Sequence, residues 1–129
     1  MTATAIDKLS LVIHSGEFSR IHYALVMASA AAAVGKAVTI LFAGTSVRAL
    51  AKTYAKPDED HRIKALRVAG FEELLTTCRD LGARLLVCET ALALCELKPA
   101  QLRGDLNLEV AGAVTFLSDA SASGEMLFV

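Results

Sequence analysis

From Lys8 to Ala43 the chain reads KLSLVIHSGEFSRIHYALVMASAAAAVGKAVTILFA. Its two ends, KLSLVIH and AVTILFA, are short apolar runs with little polar alternation, as in strands covered on both faces. Ser15-Gly16 closes the first run as a turn. Between the runs, Phe18 to Val34 is built of strong helix formers. Ser19 is expected to cap its start, and Gly35-Lys36 stands where a left-handed C-terminal cap belongs.

The same alternation continues to the end of the chain. Gly44-Thr45-Ser46 reads as a turn that caps an amphipathic helix, with Val47, Leu50, Ala51 and Tyr54 at i, i+3, i+4 and i+7. Lys52 to Lys64, KTYAKPDEDHRIK, carries Pro57 and dense charge, and reads as a solvated loop or short irregular helix. Phe71, Leu74, Leu75, Cys78 and Leu81 keep helical spacing up to Gly82, and Arg84 to Cys88 (RLLVC) follows as a third strand. Thr90 to Leu97 reads as a short helix stopped at Lys98-Pro99. Leu106 to Val110 is a fourth strand, Gly112 to Ala122 a helix rich in Ala and Ser, and Glu125 to Val129 a fifth strand. Five apolar runs alternating with helices predict a three-layer α/β/α fold with a five-stranded parallel sheet, in a single domain over residues 1–129. Ligands of such sheets gather outside the carboxyl ends of the strands. Here those ends are His14-Ser15-Gly16, Ala43-Gly44-Thr45, Cys88-Glu89-Thr90 and Val110-Ala111-Gly112.

Composition narrows the function classes. The 129 residues are 54% apolar and 21% charged, with 13 Lys and Arg against 14 Asp and Glu. Such a chain buries a core, so disorder is excluded. A net charge of -1 supplies no basic footprint, so neither nucleic acid nor an anionic membrane surface is an expected partner. The most apolar stretch, Tyr23 to Val34, falls short of the about 20 residues that a membrane span needs. Met1 to Lys8 lacks the basic and apolar regions of a secretory leader, so a cytoplasmic location is expected. Three cysteines without a CxxC spacing suit neither a disulfide framework nor a zinc site, and a reducing compartment leaves them as thiols. No GxGxxG or GxxxxGK[ST] loop occurs. His14, His22 and His61 are scattered, which gives no metal site. His14 ends a strand, and His22 reads as a surface or interface residue.

The cysteines differ by position. Cys78 lies on the apolar stripe of its helix and is expected in the core. Cys95, two helical turns beyond Cys88, also reads as core, too far from Cys88 for a disulfide without rearrangement. Cys88 ends an apolar strand directly before a helix, where unpaired N–H groups favour the thiolate, while a neighbouring Glu89 carboxylate would disfavour it. Position alone leaves a reactive and an inert, packed Cys88 both open.

The order of elements and the words around Cys88 resemble the DsrE/DsrF-like family, in the branch of DsrE-like sulfurtransferases labelled peroxiredoxin-like. The resemblance runs through LVIHSGEFSR, ALVMASAAAAVGKAVTILF, FEELLTTCRDLGARLLVCETALAL and LEVAGAVTFLSDASASGEMLFV, nearly the whole chain. It implies a homo- or hetero-oligomer and a cysteine after the third strand, here Cys88, that carries sulfane sulfur as a persulfide between donor and acceptor thiol proteins. That chemistry requires no metal or organic cofactor. The N–H groups of Glu89 and Thr90 would stabilise the sulfur anion, with His14, Ser15, Gly16 and Thr45 on the neighbouring loops completing the binding site. The competing expectation is non-enzymatic: an oligomeric scaffold or small-ligand binding module of the same fold, with Cys88 merely packed.

One number is left over. The mean hydropathy of +0.49 is high for a water-soluble chain, and the 23 alanines gather in the first helix and between Ala111 and Ala122. A helix outside a sheet should offer water a charged stripe, and Phe18 to Val34 offers none. A subunit interface through this helix is therefore expected.

Overall fold

A computed structural model describes residues 7–129, so most of the Met1 to Lys8 stretch read for a secretory leader, residues 1–6, lies outside the described residues. The strands are β1 Lys8–Ile13, β2 Ala37–Phe42, β3 Arg84–Cys88, β4 Glu109–Ala111 and β5 Glu125–Phe128. The helices are α1 Phe18–Ala33, α2 Asp58–Ala65, α3 Phe71–Asp80, α4 Glu89–Leu94 and α5 Ala113–Asp119, with 3-10 turns at Gly44–Leu50 and Pro99–Gln101. All four strand pairings are parallel, and the sheet order is β4-β3-β2-β1-β5. The chain steps outward from β1 to β4 and then crosses back to place β5 on the other side of β1. This is the expected α/β sheet flanked by helices.

The apolar strands are explained by cover on two faces. Leu9, Leu11 and Ile13 of β1, Val38, Ile40 and Phe42 of β2, and Leu85 and Val87 of β3 join α1 and α3 in the main core. The alternate residues Val12, Leu41 and Leu86 meet Phe116 of α5 in a smaller core on the opposite face. A period of two would have exposed one set, so neither set is free to be polar. Asp119, the last residue of α5, fastens that helix to the sheet. It pairs with Lys8, accepts from Thr39 Oγ1 at 2.6 Å and from Arg84 Nη1 at 3.1 Å. Arg84 also forks onto Glu109, 2.8 Å from each carboxylate oxygen.

Several local expectations are corrected. Ser19 does not cap α1: the N-cap residue is Glu17, and the Ser19 hydroxyl donates to the Glu17 carboxylate at 2.9 Å instead. The helix expected over Val47 to Tyr54 is a 3-10 turn that stops at Leu50. There the backbone is taken by partners across the fold: Ala51 bridges Leu102, and Lys52 N–H donates to Gln101 O at 2.9 Å. The charged excursion is an ordered eight-residue helix, α2, with Asp58, Glu59 and Asp60 in its first turn and Arg62 and Lys64 in its last, which suits the helix dipole. Asp60 is buried and accepts the Phe71 N–H at 2.8 Å, capping the start of α3 from a distance in sequence. His22 is a buried residue, 2.8 Å from Ala69 O through Nε2 and stacked on Phe18. The fourth strand begins three residues later than expected, because Leu106 is already spent in the main core.

Candidate functional site

The loops at the carboxyl ends of β1 and β2 are pressed together by two glycines. Gly44 adopts φ +50°, and a Cβ there would stand 2.4 Å from His14 O. A Cβ on Gly16 would stand 2.4 Å from Thr45 Oγ1. Only glycine allows the β1 and β2 loops to touch at both points. Ser46 adds a tie beneath them, its hydroxyl 2.6 Å from Ile13 O and 2.7 Å from Ala43 O.

The resulting wall bounds a cleft of about 370 Å³, lined by His14, Thr45, Arg48, Cys88, Thr90 and Cys95 together with Ala43, Gly44, Ala91 and Leu94. Cys88 is half-buried and is the N-cap residue of α4. The Glu89 and Thr90 N–H groups open the first turn of that helix, so they have no acceptor within it. The His14 ring stacks on Phe128, with centroids 5.7 Å apart. Cys95 is buried, and its thiol donates to Gly44 O at 3.7 Å. A second cleft of about 520 Å³ adjoins the first and shares Thr45 and Arg48 with it; its other walls include Ser15, Gly16, Glu17 and Tyr54.

Of the residues expected at the site, Cys88, His14, Thr45 and Thr90 come together on one cleft. Ser15 and Gly16 line the adjoining one. Glu89 was expected at the site through its backbone N–H, which lies in the first turn of α4; its carboxylate is turned toward Gly112, 3.2 Å from where a Cβ on that glycine would stand, and the residue is not on the cleft lining. Cys78 is fully buried in the core, and that burial pushes its thiol up to about 11. One lining residue escaped the sequence reading, and another was read only for its packing. Arg48 was hidden as one polar position of a supposed amphipathic helix, and Cys95 lines the cleft as well as packing in the core. Among the described residues, no group of His, Cys, Asp and Glu is placed to hold a metal ion, and no helix is long and apolar enough to cross a membrane.

A half-buried thiol at the carboxyl end of a parallel strand, on an open cleft with hydroxyl, imidazole and guanidinium groups, defines a thiol-bearing protein of the parallel α/β class. The particular family follows from the sequence as a whole: the DsrE/DsrF-like family model matches residues 7–127, and the chain belongs to that family. The family is associated with sulfur relay. No curated protein matches the chain.

Proposed function

We propose that this protein is a sulfur carrier of the sulfurtransferase type, in which Cys88 holds sulfane sulfur as a persulfide and passes it between thiol partners. The observation that carries this reading is the placement of Cys88, which opens from the end of β3 onto a cleft while Cys78 is sealed in the core. The Cys88 thiolate attacks the outer sulfur of a donor persulfide, the donor leaves as its thiolate, and an acceptor thiolate later removes the sulfur by the same displacement. The Glu89 and Thr90 N–H groups support the anionic sulfur at the N-cap position, and Thr45, Thr90 and His14 offer polar contacts around it. The chemistry consumes no metal or organic cofactor and needs a reduced thiol, which a cytoplasmic location maintains.

The protein acts as a homo-oligomer in this reading. Tyr23, Met27, Ala30 and Val34 form an exposed apolar stripe at i, i+4, i+7 and i+11 along α1, and β5 beside it is an edge strand with Met126 and Phe128 exposed. Apolar surface next to an unpaired edge is what a second copy would cover.

The test of the carrier reading is intact-mass measurement after incubation with a persulfide donor. Wild type should gain one sulfur and Cys88→Ser none. Sulfur on Cys78, or on no residue, overturns the assignment.

A further inference from the structure

We infer that Arg48 is the anion-recognition residue of this site, and that the donor it admits to Cys88 is a small thiol persulfide bearing a carboxylate. The inference rests on the persulfide reading of Cys88 and names the substrate class that reading leaves open.

Arg48 lies in the 3-10 turn after β2 and is exposed. Its backbone carbonyl accepts the Ala51 N–H, but among the described residues its guanidinium has no hydrogen-bond or ion-pair partner. Two other arginines near strand ends and loops are used structurally: Arg84 forks onto Glu109, and Arg103 forks onto Glu72 with both contacts at 2.7 Å. A guanidinium left without a carboxylate keeps its planar set of donors available to a ligand, and that geometry matches a carboxylate in particular.

Position adds the second observation. Arg48 and Thr45 line both the Cys88 cleft and the adjoining cleft. A molecule whose sulfur reaches Cys88 therefore passes Arg48 as it extends toward Ser15 and Tyr54. Clefts of about 370 and 520 Å³ hold a small molecule, within the range usual for such ligands. Glu17 is the single acid on the two linings, and it sits on the wall of the outer cleft, already bonded by Ser19 and paired with Arg20 at 3.6 Å. An anionic group is thus drawn to Arg48 and turned from the outer wall, which sets the direction in which the donor lies.

The transfer balances without a co-reactant. The Cys88 thiolate forms a bond to the terminal sulfur of R–S–SH, the S–S bond of the donor breaks, and its electron pair leaves as R–S⁻. The proton stays on the transferred sulfur, giving Cys88–S–SH.

The experiment compares two donors that differ only in the anion: the persulfide of N-acetylcysteine and that of its neutral amide. Sulfur on Cys88 is followed by intact mass against donor concentration. Wild type should half-saturate at roughly tenfold lower concentration of the acid than of the amide, the ratio expected for one charge-assisted contact. Arg48→Gln should bring the two donors to the same half-saturation, and Arg48→Lys should recover part of the difference. Equal half-saturation in wild type, or a preference that survives Arg48→Gln, overturns the inference while leaving Cys88 loading intact. Failure of both donors to load Cys88 overturns the carrier reading itself, and this inference with it.

Discussion

Cys88 and Cys95 are the N-cap and C-cap residues of one six-residue helix, α4, and both line the same cleft. The seven residue steps from one to the other span about 10 Å along the axis, well beyond the Cα spacing a disulfide tolerates. The two thiols share a space without being a redox pair in this conformation. One opens the cleft wall and the other is built into it, its S–H on the Gly44 carbonyl.

Their reactivity should therefore separate cleanly. Under a small alkylating reagent at neutral pH, Cys88 should be modified first and Cys95 about tenfold or more slowly, because it is buried and its proton is engaged. Cys78, fully buried with its thiol pushed up to about 11, should react only after denaturation. Peptide mapping over time gives the order. Early labelling of Cys78, or protection of Cys88 from a charged reagent, would contradict this placement, and the second result would favour the packed-cysteine alternative.

The glycine at the head of the β2 loop should be irreplaceable. Gly44→Ala places a methyl 2.4 Å from His14 O, a backbone atom with no freedom to swing away, at φ +50°. The left-handed strain is about 1 kcal/mol, and forcing the two loops apart adds about 1–3 kcal/mol. Thermal melting should show the loss. The same displacement should slow sulfur loading of Cys88, since His14, Gly44 and Cys88 bound one cleft. Unchanged melting would show that the β1 and β2 loops do not meet as described.

The architecture was legible because its signal is coarse. Runs such as KLSLVIH and AVTILFA have little polar alternation, and only two-sided cover by Phe116 and α1 satisfies them. What escaped was long-range. Nothing local in PDEDHRIK says that Asp60 caps a helix eleven residues on, and nothing around Val47 says that Ala51 is claimed by Leu102, which ends the 3-10 segment at Leu50. At the site, strand ends placed Cys88, His14 and Thr45 on one cleft. The direction of Glu89 and the idleness of Arg48 depend on which charges find partners, and that is settled only by packing.

The α5 anchor should make stability acid-sensitive. Burial pushes the Asp119 carboxyl up, but the Lys8, Thr39 and Arg84 contacts outweigh it and hold it below the ordinary value. A depressed folded-state value means that the stabilisation is complete above the unfolded-state value near pH 3.9 and is lost as the pH falls through the folded one. Asp119→Asn leaves two cationic side chains without their shared carboxylate and should destabilise by about 2–3 kcal/mol at pH 7. The gap between wild type and variant should narrow below about pH 4. Urea titrations at several pH values measure it, and a gap independent of pH would mean that Asp119 acts through packing alone.

The surplus hydrophobicity of the chain predicts its assembly. On α1, the buried face Phe18, Ile21, Ala24, Leu25 and Ala28 is satisfied by the sheet and α3, yet the outward stripe of Tyr23, Met27 and Val34 is apolar too. Two adjoining grooves, about 420 and 270 Å³, run between that stripe and β5 and share Met27 and Leu127. A surface of this kind on an edge strand favours a second copy of the chain, and native mass spectrometry at micromolar concentration should show a homo-oligomer. Met27→Glu sets a charge in the middle of the contact. Its own fold should tolerate the change, since Met27 is 42% exposed in the single chain. Association should weaken by about 100-fold or more, because an unpaired carboxylate would have to be desolvated. A monomeric wild type at that concentration would remove the interface reading, and an oligomer indifferent to Met27→Glu would move the interface away from α1.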